Sequence, residues 1–130
     1  MAVGLHAIAS PGIDIEMYGE RVRKVAPRFV REDEMPGRER MEPQEELYQL
    51  LLHWSAKETM FKVMDCSEVD FLEHLKVVPF PLASSGSFRG ESFRLEEKRH
   101  FMIHYLIHPE FVCTYCVGND GKQIQEDFVF

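Results

Sequence analysis

From Gly12 to Glu16 the chain reads GIDIE, in which apolar and acidic residues alternate and predict a half-buried β-strand. Residues 2–8 predict a further short strand, closed by a turn at SPG. Between Arg21 and Val30, Val22, Val25, Ala26 and Phe29 recur at helical spacing, although Pro27 interrupts the run. The segment 31–43 is dense in charge, with two prolines and a glycine, and predicts a mobile loop. A long helix is predicted from about Gln44 to about Met64, with Glu45 and Glu46 at the end where the helix dipole favours acids. A short helix follows in VDFLEHL, and KVVPFPL, SFRLEE, HFMIHYLIH and FVCTYCV read as strands. Helices early and strands late predict an α+β fold, an antiparallel sheet packed against one long helix and shorter helices.

Length and composition narrow this picture. The chain of 130 residues suits one core, so 1–130 is read as a single domain. A hydrophobic content of 45% argues against general disorder. No run is long enough to span a bilayer and the N-terminus lacks the pattern of a secretory leader, so no membrane is expected and a cytoplasmic location is. A net charge of -7 argues against nucleic acid as a partner. Arg21, Arg23, Lys24 and Arg28 nevertheless form a local basic patch suited to an acidic partner or a phosphate, or simply to a solvated helix face.

The candidate chemistry lies in carboxylates. On the long helix, Leu47, Leu51, Trp54 and Phe61 fall close to one line, with Glu58 in the middle and Lys57 and Lys62 on its edges. A carboxylate on a buried stripe requires a cation, and an i,i+4 pair with Lys62 is the simplest one. On the GIDIE strand, Asp14 and Glu16 share a face. They are either two solvated acids or part of a site for a hard cation such as Mg²⁺, which prefers oxygen ligands; Glu58 would then be the third carboxylate.

G-I-D-I-E, followed some forty residues later by W-S-A-K-E-x-x-x-K at Trp54 to Lys62, resembles the paired signature of the 4'-phosphopantetheinyl transferases. Arg28–Phe29 and the acidic stretch Glu32 to Glu34 resemble the same family, and the likeness runs from residue 11 to about residue 118. It implies a holo-acyl-carrier-protein synthase type of activity: Mg²⁺-dependent transfer of phosphopantetheine from coenzyme A to a serine of an acyl, peptidyl or aryl carrier protein. Asp14, Glu16 and Glu58 would be the metal ligands, Glu58 and Lys62 the catalytic residues, and Lys57 and Arg28 would help bind coenzyme A. The serine proton would pass to Glu58 or to a water on the metal. The sequence resembles the second half of the larger, two-repeat branch, without the S-H-T or S-H-D segment that precedes the metal strand there. A homo-oligomer is therefore expected, a dimer rather than a trimer. The alternative is a catalytically incomplete half-domain serving as a binding or assembly module; a phosphohydrolase would need nucleophile-activating residues that the sequence does not display.

Two other motifs read as structural. Cys113 and Cys116 form a C-x-x-C, but on a strand residues three apart point to opposite faces. His100, His104 and His108 share a strand face at intervals too long for one ion. His53 points away from the helix stripe and is given no role.

Overall fold

A computed structural model describes residues 12–64, 67–94 and 98–116. Strand β1 (Gly12–Met17) leads into a short helix α1 (Arg21–Val25), continued by a 3-10 turn over Ala26–Arg28 where Pro27 removes a backbone donor. Helix α2 spans Pro43–Met64, α3 spans Phe71–His74, and the strands β2 (Leu75–Val77), β3 (Ser85–Ser92), β4 (Arg99–Ile107) and β5 (Phe111–Cys116) follow. All pairings are antiparallel, in the order β1-β5-β4-β3-β2. The expected α+β architecture is thus present, with α2 lying mainly over β1 and β5. No helix among the described residues is long and apolar enough to cross a membrane. The strand read at residues 2–8 lies outside the described residues.

Three sequence expectations are corrected. The strand read at SFRLEE is displaced to Ser85–Ser92, and Phe93 and Arg94 beyond it are not strand. The strand read in KVVPFPL stops at Val77, ahead of Pro79 and Pro81, which cannot donate to a ladder. The charged segment 31–43 carries 3-10 turns at Glu32–Glu34 and Arg38–Arg40 and buries Glu34 and Met35.

The core fills the space between α2 and the sheet: Leu52, Ala56, Met60 and Val63 meet Ile103, Tyr105, Val112 and Phe88. At Gly90 a Cβ would lie 2.5 Å from the sulfur of Met60, so the glycine lets the helix approach β3. The predicted stripe of α2 is not its buried face. Of its members only Leu51 is buried; Leu47, Trp54 and Glu58 are half-buried and Phe61 is exposed, whereas Ser55, Lys57 and Thr59 beside them are enclosed. Helix α2 is covered on two sides, by the sheet and by segment 26–35 with α3. The stripe lies on the seam between them.

Candidate functional site

Strand β1 and helix α2 run antiparallel, and this explains the two-part motif. Two residues of strand advance about 6.6 Å, close to the 5.4 Å pitch of one helical turn. Gly12 and Asp14 therefore meet successive turns of α2, and Glu16 is reached by the long side chain of Trp54. Gly12 abuts Thr59 and Val63, so closely that a Cβ would sit 2.6 Å from the Thr59 carbonyl oxygen. Asp14 meets the next turn, where Ser55 Oγ donates to its carbonyl at 3.2 Å. Glu16 accepts from Trp54 Nε1 at 3.1 Å.

Gly12 and the side chains of Asp14 and Glu16 thus face the helix, and Glu58 stands on the seam beside them. Lys62 Nζ donates to the carbonyl of Ile13 at 2.7 Å and lies 3.6 Å from Asp14 Oδ1. Asp14 Oδ2 is buried without a hydrogen-bond partner among the described residues. Burial, a hydrogen bond with Asp14 and the negative charges of Asp14 and Glu58 push Glu16 up to about 7, against the opposing bond from Trp54. Glu58 is raised by burial and by Asp14, with Lys62 pulling the other way. The helix motif thus does not resolve into a simple Glu58–Lys62 pair, since Lys62 contacts β1.

These acids suit a hard cation chemically. All donors are oxygens, one is buried and unpartnered, and two resist ionisation because they are partly buried beside other carboxylates. Among the described residues no three acids, histidines or cysteines are yet gathered closely enough to hold a metal.

Lys57, expected at a phosphate, is instead fully buried. Its Nζ donates to the carbonyls of Phe29 (2.6 Å) and Phe71 (3.1 Å) and to Glu34, whose Oε2 lies 2.8 Å away. All three ammonium protons are used inside the fold. Glu34 also accepts from the backbone of Arg31 at 2.8 Å and of Val77 at 2.7 Å. Phe29 packs edge-on to Trp54 at 5.2 Å between ring centres. Arg28 is exposed and, with Arg21, Glu16, Trp54 and Phe29, lines a hollow of about 640 Å³ at the end of β1.

Sequence reasoning passed over three hydroxyls beneath the acids. Ser55 Oγ and Thr59 Oγ1 each lie 2.8 Å from Thr114 Oγ1 of β5. A threonine within FVCTYCV carries no sign that it faces a helix, so no local signal marks it. The cysteines on either side point to opposite faces as read: Cys113 is half-buried on the outer face and Cys116 is buried on the inner one. His53 is buried, with Nδ1 2.7 Å from the Gln49 carbonyl oxygen, and makes no approach to the acids.

A family model described as the 4'-phosphopantetheinyl transferase superfamily matches residues 10–116. No curated protein matches the chain significantly.

Proposed function

Because the chain belongs to the 4'-phosphopantetheinyl transferase superfamily, we propose that it is a transferase of the holo-acyl-carrier-protein synthase type, moving phosphopantetheine from coenzyme A to a carrier-protein serine. The observation that carries this reading is the pairing of a bare, buried Asp14 oxygen with two acids, Glu16 and Glu58, whose protons are held abnormally tightly. Such a group is short of one multivalent cation. Asp14, Glu16 and Glu58 would hold Mg²⁺, which when bound neutralises charge on the coenzyme A pyrophosphate.

In the proposed reaction the serine oxygen forms a bond to the β-phosphorus, the bond to 3',5'-ADP breaks, and the serine proton passes to Glu58. Glu58 has a raised affinity for that proton and half-buried access to solvent. Lys62, half-exposed beside Asp14, supplies positive charge at the phosphate side of the site. The exposed Arg21 and Arg28 line the hollow beside Glu16 and, with the exposed Lys24 of the same segment, offer a docking surface to an acidic carrier protein. Lys57 acts in this reading by holding α2 against segment 26–35.

The outer face of the sheet supports self-association. Ile15, Met17, Met102, Leu106 and Tyr115 are exposed across three adjacent strands, and a dimer through that face would cover them. The second reading is a catalytically silent half-domain used for binding or assembly. It is favoured by the acids not being gathered into a ready metal cage among the described residues.

Mass spectrometry of an apo carrier protein incubated with the chain, coenzyme A and Mg²⁺ separates the two. A phosphopantetheine-sized mass gain is expected for wild type and none for Glu58→Gln. No gain across several carriers, together with no Mg²⁺-dependent binding of coenzyme A, would favour the silent half-domain.

A further inference from the structure

Beneath the acids, α2 presents Ser55 and Thr59, one turn apart and both fully buried, to Thr114 of β5, which is also fully buried and pairs directly across from Asp14. Ser55 Oγ lies 3.2 Å from the carbonyl oxygen of Asp14, which can only accept, so Ser55 gives its proton there. With that proton given, Ser55 accepts at 2.8 Å from Thr114, and Thr59 Oγ1 lies 2.8 Å from Thr114 Oγ1 and 3.4 Å from the Thr114 carbonyl oxygen. The result is a connected chain of hydroxyls, from Thr59 through Thr114 and Ser55 to the backbone of Asp14. The last bond ends on the residue that carries the unpartnered Oδ2.

Helical serine and threonine ordinarily turn back to the carbonyl four residues earlier, a bond available without any tertiary contact. Here both hydroxyls reach across to the sheet. Apolar contacts resist separation but slide readily, whereas hydrogen bonds of fixed length and direction resist sliding and rotation. The chain ties two points on α2, either side of Glu58 in the helix, to one point on β5 and one on β1. It therefore fixes where Glu58 stands relative to Asp14.

We propose that Thr114 is a positioning residue, which through Ser55 and Thr59 holds α2 in register against β1 and so limits how far Glu58 and Asp14 must move to share a cation. This rests on the metal reading given above. Removing the hydroxyl frees Ser55 and Thr59 to turn back onto their own helix and lets α2 shift against β1. Groups that orient metal ligands without touching the metal typically contribute about 10–100-fold in affinity.

The test is Mn²⁺ binding to the full chain, followed by electron paramagnetic resonance and free of any catalytic readout. Wild type should bind and Glu58→Gln should not. Thr114→Val should bind about 10-fold more weakly, and Thr114→Ser should recover wild-type affinity. Ile103→Val, a buried core truncation on β4, should lower the melting temperature and leave Mn²⁺ affinity unchanged. If Thr114→Val does not fold, Ser55→Ala removes the last link alone and is expected to weaken binding in the same way. Wild-type affinity in Thr114→Val or Ser55→Ala, or an equal loss in Ile103→Val, overturns the positioning role while leaving the metal site standing. Absence of Mn²⁺ binding in wild type overturns the metal reading, and the positioning role with it.

Discussion

At the scale of single residues, the site is defined by charges that lack adequate partners. Glu16 holds its proton up to about 7 in the folded protein and has an ordinary value of 4.5. Between those values the folded state carries a proton that the unfolded state has released, so the contribution of Glu16 to stability falls as pH rises and levels off above about 7. His53, held below its ordinary 6.5 by burial, acts with the opposite sign in the acidic part of that window. The effect is therefore read as a difference between variants. Without metal, Glu16→Gln should gain stability relative to wild type between pH 4.5 and 7 and keep a constant advantage above, measured by urea unfolding across pH. A flat difference would mean that Glu16 titrates normally. Lys57 presents the reverse case, a buried charge with every partner in place. Burial pulls its ammonium below the ordinary value while Glu34 pulls it back. Lys57→Met leaves the Glu34 carboxylate buried without its cation and should cost about 3–5 kcal/mol. Adding Glu34→Gln should restore part of that. A loss under about 1 kcal/mol would show that water reaches Glu34.

Between elements, the site depends on how near β1 lies to α2. The approach is closest at Gly12, where a Cβ would lie 2.6 Å from the Thr59 carbonyl oxygen and 2.7 Å from Val63 Cγ2. The backbone atom cannot yield, so Gly12→Ala must push the strand off the helix. Destabilisation by about 1–3 kcal/mol is expected from overpacking, accompanied by weaker Mn²⁺ binding; unchanged melting and binding would mean that β1 can tilt away freely. The same reasoning explains why GIDIE and WSAKE occur together. The glycine sets the separation, the alternation aims both acids at the helix, and the antiparallel course brings Gly12 and Asp14 against successive turns.

For the whole molecule, the two faces of the sheet differ in character. The inner face is covered by α2. The outer face exposes Ile15 (55%), Met17 (65%), Leu106 (46%), Met102 (44%) and Tyr115 (44%) on β1, β5 and β4, and turns polar at Ser85, Ser87, Arg89 and Glu91 of β3. A bounded apolar patch of this kind is unfavourable in water and suits a second copy of the chain. Sedimentation should give a dimer. Leu106→Glu should shift it to monomer while changing the melting temperature little at high dilution, since the side chain is nearly half exposed already. A wild-type monomer at all concentrations would remove self-association from the reading.

Much of this could be read along the chain. β1, α2, β4 and β5 are visible because their periods are local and strong, and the acids of the site stand at fixed offsets within two of them. β3 was harder to see, because Gly86 and Gly90 and the polar outward positions dilute its alternation. Other features have no local signature. The burial of Lys57 depends on Glu34, 23 residues away, and the hydroxyl chain on Thr114, 55 residues beyond Thr59. The seam position of Glu58 arises because α2 is enclosed from two directions, which turns an apparent buried stripe into a boundary. Periodicity and spacing determine which residues share a face of an element. Which face is covered, and by what, follows from packing between distant segments, and that was decided by the tertiary structure.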